Sequence, residues 1–259
     1  MELIITRDYR EMSHQAATQV AAHIIVNPEL VLGLATGSTP IGAYEELIRM
    51  RKKGMVDFSK VTTFNLDEYL GIGPKDKASY HYFMYSNFFN GINIKKGNIN
   101  LLNGLAKNPG AECKRYENAI RKAGGIDLQI LGIGQNGHIG FNEPSEVFPT
   151  VTHVVGLSEQ TRAVNAKFFR NRKKVPTQAL SVGIGTIMKA KEIILLANTK
   201  EKAKAITDAI EGPVRPQVPA SVLQLHPKAV MILTEAAANG LRGIFRKSYK
   251  FSFTDKKVL

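Results

Sequence analysis

The chain has 259 residues, of which 44% are apolar, and a formal net charge of +13, so its length suits one α/β domain or two small ones with a sizeable core. It has no uncharged apolar run of membrane-spanning length and no secretory signal pattern at its N-terminus. Its single cysteine, Cys113, excludes an internal disulfide and a cysteine metal cluster. We therefore expect a cytoplasmic protein without a membrane partner. The basic residues are scattered and accompany no zinc-finger or ribonucleoprotein motif, which favours a solvated surface that attracts an anionic small molecule over nucleic-acid binding.

Strand patterns and helix patterns alternate along almost the whole chain. Short apolar runs predict buried strands, which are Leu30–Ala35, Val61–Leu66, Ile126–Ile133, Val151–Leu157, Ile193–Ala197 and Ala229–Thr234. Apolar residues at helical spacing predict the helices Met12–Ile24, Ile41–Ile48, Cys113–Ala123 and Ala203–Ile210. We also expect an aromatic-rich helix at Ser79–Phe89, a polar helix near Glu159–Phe169 and a last helix at Glu235–Phe245. Before the first helix, Asp8 is expected to cap its start while Glu11 reaches back.

This alternation predicts a doubly wound, mostly parallel sheet with helices on both faces, a Rossmann-like α/β fold. No linker or shift in composition divides the chain, so we expect a single domain over residues 1–245. The segment from about 141 to 176 is expected to form a lid, and residues 246–259 a basic C-terminal tail. Open parallel sheets bind ligands beyond the carboxyl ends of their strands, which is where four unusual segments of this chain fall.

The first of these segments joins the predicted strand Leu30–Ala35 to the next helix. Gly37 lets the backbone approach a ligand, while Thr36, Ser38 and Thr39 offer hydroxyls beside the free N–H groups of a helix N-terminus. Such an arrangement suits a phosphate group, although an ordinary capped turn would have the same pattern. The loop matches neither a dinucleotide-binding nor a Walker motif, so it does not indicate a nucleotide.

The second segment contains two adjacent carboxylates, Asp67 and Glu68, directly after the strand Val61–Leu66. Successive side chains of a strand point in different directions, so we expect only one of the two to face a site. Asp67 is the candidate acid or base, and a helix cap is the alternative.

The third segment, residues 132–144, has closely spaced glycines after a buried strand. His138 in this segment is suited to acid–base work near neutral pH, and Glu143 to orienting it and stabilising its charge. The glycine framing and the nearby carboxylate favour this interpretation over a structural histidine. The two residues do not form a metal-binding His-Glu-x-x-His motif, and the other histidines are isolated, so we expect no metal.

The fourth segment carries Lys202 near the start of the helix Ala203–Ile210. A cation is locally unfavourable at a helix N-terminus, and this cost suggests an anionic partner such as a phosphate. The alternative is that Lys202 is a solvated lysine like its neighbours Lys200 and Lys204. The sequence alone does not decide between these two interpretations.

Five segments of the chain resemble the motifs of the glucosamine-6-phosphate deaminase family. They occur in order over about residues 1 to 245, and the His-Ile-Gly-Phe-Asn-Glu-Pro string is specific. The segments are Leu34–Pro40, Thr63–Tyr69, Asn98–Gly104, Gly137–Pro144 and Leu223–Pro227.

The resemblance implies a mechanism and a small amino-sugar phosphate as substrate, without an organic cofactor or a metal. His138, supported by Glu143 and Asn136, would open the bound pyranose ring. Asp67 would then take the proton from C2 and help return one to C1, after which ammonia leaves. The loop from Thr36 to Thr39 and Lys202 would hold the phosphate.

The sequence departs from the family pattern at two positions. Some members have Asp where this chain has Asn136, so the relay becomes an Asn–His–Glu set in which Glu143 carries the charge. Lys167 stands where members often have Arg, and lysine keeps the charge but loses the bidentate fork. We therefore expect Lys167 to contact the phosphate as a single charge, without the paired hydrogen bonds of an arginine.

The resemblance leaves other functions open. A 6-phosphogluconolactonase or another sugar-phosphate isomerase would share the phosphate cradle, but a lactonase has no evident need for Asp67. A non-catalytic sugar-phosphate sensor would need a DNA-binding helix pair, for which the chain has no free segment of sufficient length.

Regulation is a further point on which family members differ. Some are hexamers activated by N-acetylglucosamine 6-phosphate at a second site, whose Ser, Arg and Lys correspond by ungapped spacing to Glu146, His153 and Val155. These replacements predict the absence of such activation, and a monomer or small homo-oligomer.

Overall fold

We describe a computed structural model of the chain, in which residues 1–166, 169 and 175–242 are described. Lys167, part of the predicted lid (residues 168 and 170–174) and the predicted tail at 246–259 lie outside the described residues.

A seven-stranded parallel sheet forms the centre of the molecule, in the order β1-β10-β9-β6-β2-β3-β5. Its strands are β1 (Glu2–Thr6), β2 (Val31–Leu34), β3 (Thr62–Asn65), β5 (Ile99–Asn100), β6 (Leu128–Gly132), β9 (Glu192–Ala197) and β10 (Ala229–Thr234). The central strands are runs of buried residues, as expected where helices cover both faces of a parallel sheet. The doubly wound fold predicted from the sequence is therefore confirmed.

In the described part of the chain, seven α-helices connect or flank the strands. They are α1 (Tyr9–Val26), α2 (Ile41–Lys52), α3 (Tyr80–Asn87), α4 (Pro109–Lys122), α5 (Glu159–Asn165), α6 (Ile184–Ile187) and α7 (Ala203–Glu211). Short 3₁₀ helices lie at Phe89–Gly91, Lys96–Asn98, Lys200–Lys202 and Pro219–Leu225. None of the helices in the described part of the chain has the length and apolar character that crossing a bilayer requires.

Local capping explains where the first helix begins. The Asp8 carboxylate accepts a hydrogen bond from the Glu11 backbone N–H at 2.8 Å, as a helix N-cap does. The Glu11 carboxylate accepts from the backbone N–H of Arg7, not of Asp8, so the reciprocal contact predicted from the sequence is displaced by one residue.

A second, three-stranded antiparallel sheet lies beside the main one, in the order β4-β8-β7. Its strands are β4 (Asp67–Tyr69), β7 (His153–Gly156) and β8 (Gln178–Ser181). The sequence predicted β7 but neither β4 nor β8. The chain therefore leaves the main sheet at Asn65, and Asp67 is the first residue of the second sheet, paired with Ser181.

The prediction of a helix over Glu235–Phe245 is wrong for the part of this range that the structure describes, which ends at residue 242. The chain forms a series of turns from 235 to 240. Ala237, Ala238 and Leu241 are buried there, so apolar residues at helical spacing cover the core without a regular helix. This pattern misled the prediction because short apolar runs do not distinguish a helix from packed turns.

Candidate functional site

A cavity of about 350 Å³ opens at the carboxyl ends of β2, β3, β6 and β9. The loop after each of these strands contributes to its wall, as the rule for open α/β sheets predicts. Eight predicted site residues line the cavity, namely Thr36, Gly37, Ser38, Thr39, Asp67, Asn136, His138 and Lys202. Glu143 lies behind His138 and is not part of the wall.

One end of the cavity is suited to an anion. The Lys202 Nζ donates to the Thr39 hydroxyl at 2.8 Å, and this hydroxyl donates to Asn198 Oδ1 at 3.0 Å. Gly37 has φ +90°, a conformation that side chains other than that of glycine rarely adopt, and it carries the loop toward the N-terminus of α2. The loop after β2 and the segment after β9 thus bring hydroxyls, a cation and a helix N-terminus together.

Asp67 lies deeper in the cavity and is buried. Burial, followed by repulsion from the Glu68 carboxylate, raises the pKa of Asp67 to about 8, although a hydrogen bond from Thr36 acts in the opposite direction. The Thr36 hydroxyl donates to Asp67 Oδ1 at 3.4 Å. Within the loop assigned to phosphate from the sequence, Thr36 therefore faces the carboxylate while Thr39 faces Lys202.

Glu68 points away from the cavity wall toward the first turn of α3. Its carboxylate accepts hydrogen bonds from the backbone N–H groups of Tyr69, Tyr80 and His81, at 2.9, 3.0 and 2.8 Å. Burial nevertheless raises the pKa of Glu68 to about 7, because these hydrogen bonds offset only part of the desolvation. Of the two adjacent carboxylates, only Asp67 is exposed to a ligand in the cavity.

His138 and Glu143 form a second ionisable pair. The His138 Nδ1 lies 3.8 Å from Glu143 Oε2, and Nδ1 is buried without a hydrogen-bond partner. This separation is long for a hydrogen bond, and such contacts commonly shorten when a ligand binds. The His138 ring also packs so closely on Gly134 that a Cβ there would lie 2.3 Å from His138 Cε1, which explains the glycine.

Three side chains donate hydrogen bonds to the Glu143 carboxylate and fix its position. Asn136 Nδ2 donates to Oε2 at 2.6 Å, Ser158 Oγ donates at 3.3 Å, and the Thr161 hydroxyl donates to Oε1. Burial acts to raise the pKa of Glu143, but the interactions with His138, Thr161 and Asn136 outweigh it and hold the pKa at about 2. Glu143 is therefore a fixed negative charge beside the His138 ring.

Asn136 acts on the pair through Glu143 and not through the imidazole ring. Its Oδ1 accepts a hydrogen bond from the His138 backbone N–H at 3.2 Å, while its Nδ2 donates to Glu143. The neutral amide can bridge a backbone donor and a carboxylate acceptor at once, which a carboxylate at this position could do only if protonated.

Sequence reasoning missed several residues of the cavity wall. Tyr80 comes from α3, Asn198, Thr199 and Glu201 follow β9, and α5 contributes Gln160, Thr161, Val164 and Asn165. Thr161 had a usable signal, since Ser158 and Thr161 form the capping pair at the start of α5. Among the described residues, no group of three or more His, Cys, Asp or Glu side chains is arranged to hold a metal ion.

An acid–base enzyme with an anion-binding end to its cavity is the class that this fold and this site define. The chain belongs to the family described as glucosamine-6-phosphate isomerases/6-phosphogluconolactonase, whose sequence profile matches residues 7–232.

Several relatives in this family are similar over most of their length. A glucosamine-6-phosphate deaminase of Thermoanaerobacter pseudethanolicus is 56% identical over 239 residues, covering 92% of this chain and 94% of the relative. One of Clostridium botulinum is 52% identical over 242 residues, covering 93% and 99%. A solved structure of a monomeric glucosamine-6-phosphate deaminase has a TM-score of 0.91 and 44% identity, covering 93% of this chain and all of that one.

Lactonases share the fold at much lower identity. A 6-phosphogluconolactonase from Leishmania guyanensis has a TM-score of 0.73 and 19% identity, covering 93% of this chain and 99% of that one. At this identity the similarity establishes the architecture and leaves the chemistry to the residues of the site.

Proposed function

We propose that this chain is a glucosamine-6-phosphate deaminase, which converts glucosamine 6-phosphate and water to fructose 6-phosphate and ammonia. The observation that carries the proposal is that Asp67 shares one cavity with His138. Opening a pyranose ring and moving a proton from C2 to C1 are two separate acid–base tasks, and each needs its own group. A lactonase would use the anion-binding end of the cavity but has no role for a base at C2.

Ring opening is assigned to His138. The neutral imidazole takes the proton of the anomeric hydroxyl, and the imidazolium so formed gives a proton to the ring oxygen as the C1–O5 bond breaks, which leaves an open-chain aldehyde. The imidazolium that forms during this step lies beside the ionised Glu143, so the charge pair stabilises it. Asn136 supports the step by fixing the position of Glu143.

Proton transfer between C2 and C1 is assigned to Asp67. In its ionised form the carboxylate takes the C2 proton, and the C–H electron pair becomes the C1=C2 double bond. The π pair of the C1 carbonyl moves to O1, which takes a proton from the C2 ammonium group, and an enolamine results. Returning a proton to C1 gives an imine at C2, and water then replaces ammonia to leave the ketone of fructose 6-phosphate. An ammonium group on C2 would favour the ionised carboxylate, which offsets the effect of burial on its pKa.

Phosphate binding is assigned to the end of the cavity that holds Ser38, Thr39 and Lys202, with the backbone at Gly37. This end and Asp67 belong to the wall of one cavity, so the phosphate can be held here while the carboxylate acts on C2. Thr36 belongs to the same loop, but its hydroxyl donates a hydrogen bond to Asp67. Lys167 is proposed as a further phosphate contact.

Lys202→Ala is expected to weaken the binding of glucosamine 6-phosphate about 10- to 150-fold, because a hydrogen bond to a charged group contributes roughly 1.5–3 kcal/mol. Titration calorimetry of both proteins measures the change. Lys204→Ala is the matched control, since Lys204 pairs with Asp208 on the exposed face of α7. Equal affinity in the wild type and the Lys202 variant would show that Lys202 is a solvated lysine that does not bind the phosphate.

The residues that correspond to the second, regulatory site of hexameric members do not favour a phosphate here. Glu146 is exposed and acidic, and Val155 has no charge. Burial lowers the pKa of His153 even though its contact with the Val151 carbonyl acts in the opposite direction, so His153 is neutral at pH 7. A second phosphate would meet a negative charge and no cation among these three side chains.

We therefore expect hyperbolic kinetics, no activation by N-acetylglucosamine 6-phosphate, and a monomer or small homo-oligomer. The monomeric relative supports this expectation. Initial rates measured over a range of substrate concentrations, with and without N-acetylglucosamine 6-phosphate, test the kinetics, and light scattering tests the assembly. Sigmoidal curves that the effector makes hyperbolic would contradict it, whereas a hexamer alone would overturn only the proposed assembly.

Two proposals concern organisation and location. We propose that residues 141–176 act as a lid on the single domain 1–245, because α5 within this segment lines the cavity. We propose the cytoplasm as the location, since the single cysteine, Cys113, is free and buried.

A substrate panel tests the proposed function. The purified protein is supplied in turn with glucosamine 6-phosphate, N-acetylglucosamine 6-phosphate and 6-phosphogluconolactone. We expect ammonia and fructose 6-phosphate from the first alone. Hydrolysis of the lactone without ammonia release from the amino sugar would favour the lactonase instead.

A further inference from the structure

Tyr9, the first residue of α1, contacts the loop of residues 36–39 that the proposed function assigns to phosphate. We call residues 36–39 the phosphate loop. Tyr9 is half-buried and packs against the hydrophobic core, and it does not belong to the cavity wall, which Ser38 and Thr39 help to form. The mechanism above uses no residue of α1, so the contact of Tyr9 with this loop has no function so far.

The Tyr9 hydroxyl makes two hydrogen bonds, one as a donor and one as an acceptor. It donates to the Ser38 carbonyl oxygen at 3.1 Å and accepts the Gly42 backbone N–H at 2.8 Å. A phenol has one hydrogen to donate and a lone pair with which to accept, so the two hydrogen bonds are compatible and use its O–H once. One oxygen atom therefore ties the phosphate loop to the first turn of α2.

The two backbone groups that meet at this oxygen would bond to each other if α2 extended further back. Gly42 follows Ser38 by four residues, which is the spacing of an α-helical hydrogen bond. The helix begins instead at Ile41, and its N-cap residue, Pro40, makes no side-chain hydrogen bond to it. A capping group accepts the N–H of the second or third helical residue. Gly42 is the second, so Tyr9 caps α2 from another helix.

The hydrogen bond to Tyr9 also sets the direction of the peptide group between Ser38 and Thr39. The C=O and the N–H of a trans peptide point in opposite directions. Because the Ser38 carbonyl is turned toward Tyr9, the Thr39 N–H points away from it. A carbonyl oxygen repels a phosphate whereas an N–H attracts one, so this orientation of the peptide favours an anion on the side away from Tyr9.

Gly42 makes room for the Tyr9 contact. A Cβ at residue 42 would lie 2.4 Å from Ser13 Oγ and 3.1 Å from Tyr9 Cε1, closer than side chains tolerate. Ser13 is itself held in place, because its hydroxyl donates to the Tyr9 carbonyl oxygen at 2.7 Å. The first turns of α1 and α2 therefore approach each other at a residue without a side chain, and this approach lets the phenol reach the loop.

We propose that Tyr9 is a positioning residue for the substrate phosphate, because it holds the phosphate loop in the conformation that binds the anion. This inference rests on the proposed function, which places the phosphate at this loop. A second phenol, Tyr44 of α2, donates to the carbonyl of Ala35 just before the loop at 2.6 Å, so its single hydrogen cannot replace that of Tyr9. The phosphate takes no part in the reaction at C1 and C2, so Tyr9 should affect binding and not the chemical step.

Tyr9→Phe tests the inference, because it keeps the ring on the core and removes only the hydroxyl. We expect KM for glucosamine 6-phosphate to rise about 3- to 10-fold, the scale of one hydrogen bond, with kcat nearly unchanged. The affinity for inorganic phosphate, which probes this end of the cavity without turnover, should fall by a similar factor in titration calorimetry. A role limited to packing would lower the amount of folded enzyme and leave KM and the phosphate affinity unchanged.

Tyr85→Phe is the matched control, since Tyr85 packs on His81 and Phe89 and is not part of the cavity wall. Gly42→Ala presses on Tyr9 from the side of α2 and should also raise KM, which keeps a test available should Tyr9→Phe fold poorly. Unchanged KM and phosphate affinity in the folded variants, or the same changes in Tyr85→Phe, would overturn the inference. A wild type that binds inorganic phosphate but releases no ammonia would instead overturn the proposed function.

Discussion

Replacing Asp67 with asparagine is expected to lower proton exchange at C2 of the sugar, and ammonia release with it, about 100-fold or more, the usual scale for the loss of a general base. Asparagine has nearly the shape of the carboxylate and can still accept the Thr36 hydrogen bond, so the pocket keeps its form. Binding of the sugar phosphate should be largely unchanged, because its phosphate group lies at the Lys202 end. Deuterium incorporation at C2, followed by NMR, measures the exchange.

Asp208→Asn is the matched control, since Asp208 is paired with Lys204 on α7 and lies outside the cavity. Normal exchange at C2 in the Asp67 variant would remove this residue from the mechanism. Loss of exchange together with loss of sugar-phosphate binding would show a role in binding instead.

The same substitution should stabilise the protein. In the folded chain the pKa of Asp67 is raised from its ordinary value of 3.8 to about 8, so between these pH values the unfolded chain ionises while the folded chain keeps its proton. The unfolded state then binds fewer protons, and the free energy of unfolding falls as pH rises. Asparagine lacks this dependence, so the advantage of the variant in urea denaturation should grow from about pH 4 to about pH 8. An activity loss coupled to a stability gain is typical of a functional residue.

Replacing His138 with glutamine is expected to reduce turnover of the closed pyranose about 100-fold or more, since the variant lacks the acid–base group assigned to ring opening. A substrate analogue that is already in its open-chain form should lose much less, because it bypasses that step. Steady-state kinetics with both compounds give the two losses. The ionised Glu143 remains beside position 138, so the variant isolates proton transfer from local charge.

His14→Gln is the control for this experiment, as His14 lies on α1 and contacts Glu46 far from the cavity. Equal losses for the closed and the open-chain compound would exclude ring opening as the role of His138 and would indicate a shared later step.

Five strands of the main sheet could be predicted from the sequence because they are consecutive apolar residues separated by helical patterns. Its edge strands β1 and β5 were not predicted. Of the second sheet, only β7 was predicted. The strand β4 of this sheet has three residues and follows β3 after only Leu66, so the two merge into one pattern. The strand β8, Gln178–Ser181, owes its place to pairing with β4 and β7, which lie far from it in sequence. Tertiary pairing of this kind is invisible to local periodicity.

The sequence predicted the site residues that carry titratable groups in distinctive motifs. It did not predict the residues that tertiary packing brings into the cavity wall. Asp67, His138 and Glu143 carry titratable groups in distinctive motifs, and the strand ends bring the first two to one cavity. Tyr80 has no such motif, since it is one of several aromatic residues in α3. Its place in the cavity wall is fixed by contacts with Glu68 and Tyr69, which belong to the second sheet through β4.

The central claim is that the cavity holding Asp67 and His138 deaminates an amino-sugar phosphate. The most direct measurement is the amount of ammonia that the purified wild-type protein releases from glucosamine 6-phosphate, compared with the fructose 6-phosphate formed in the same reaction. We predict ammonia and fructose 6-phosphate in equal amounts. Contradiction would come from a folded protein that binds glucosamine 6-phosphate and releases no ammonia from it.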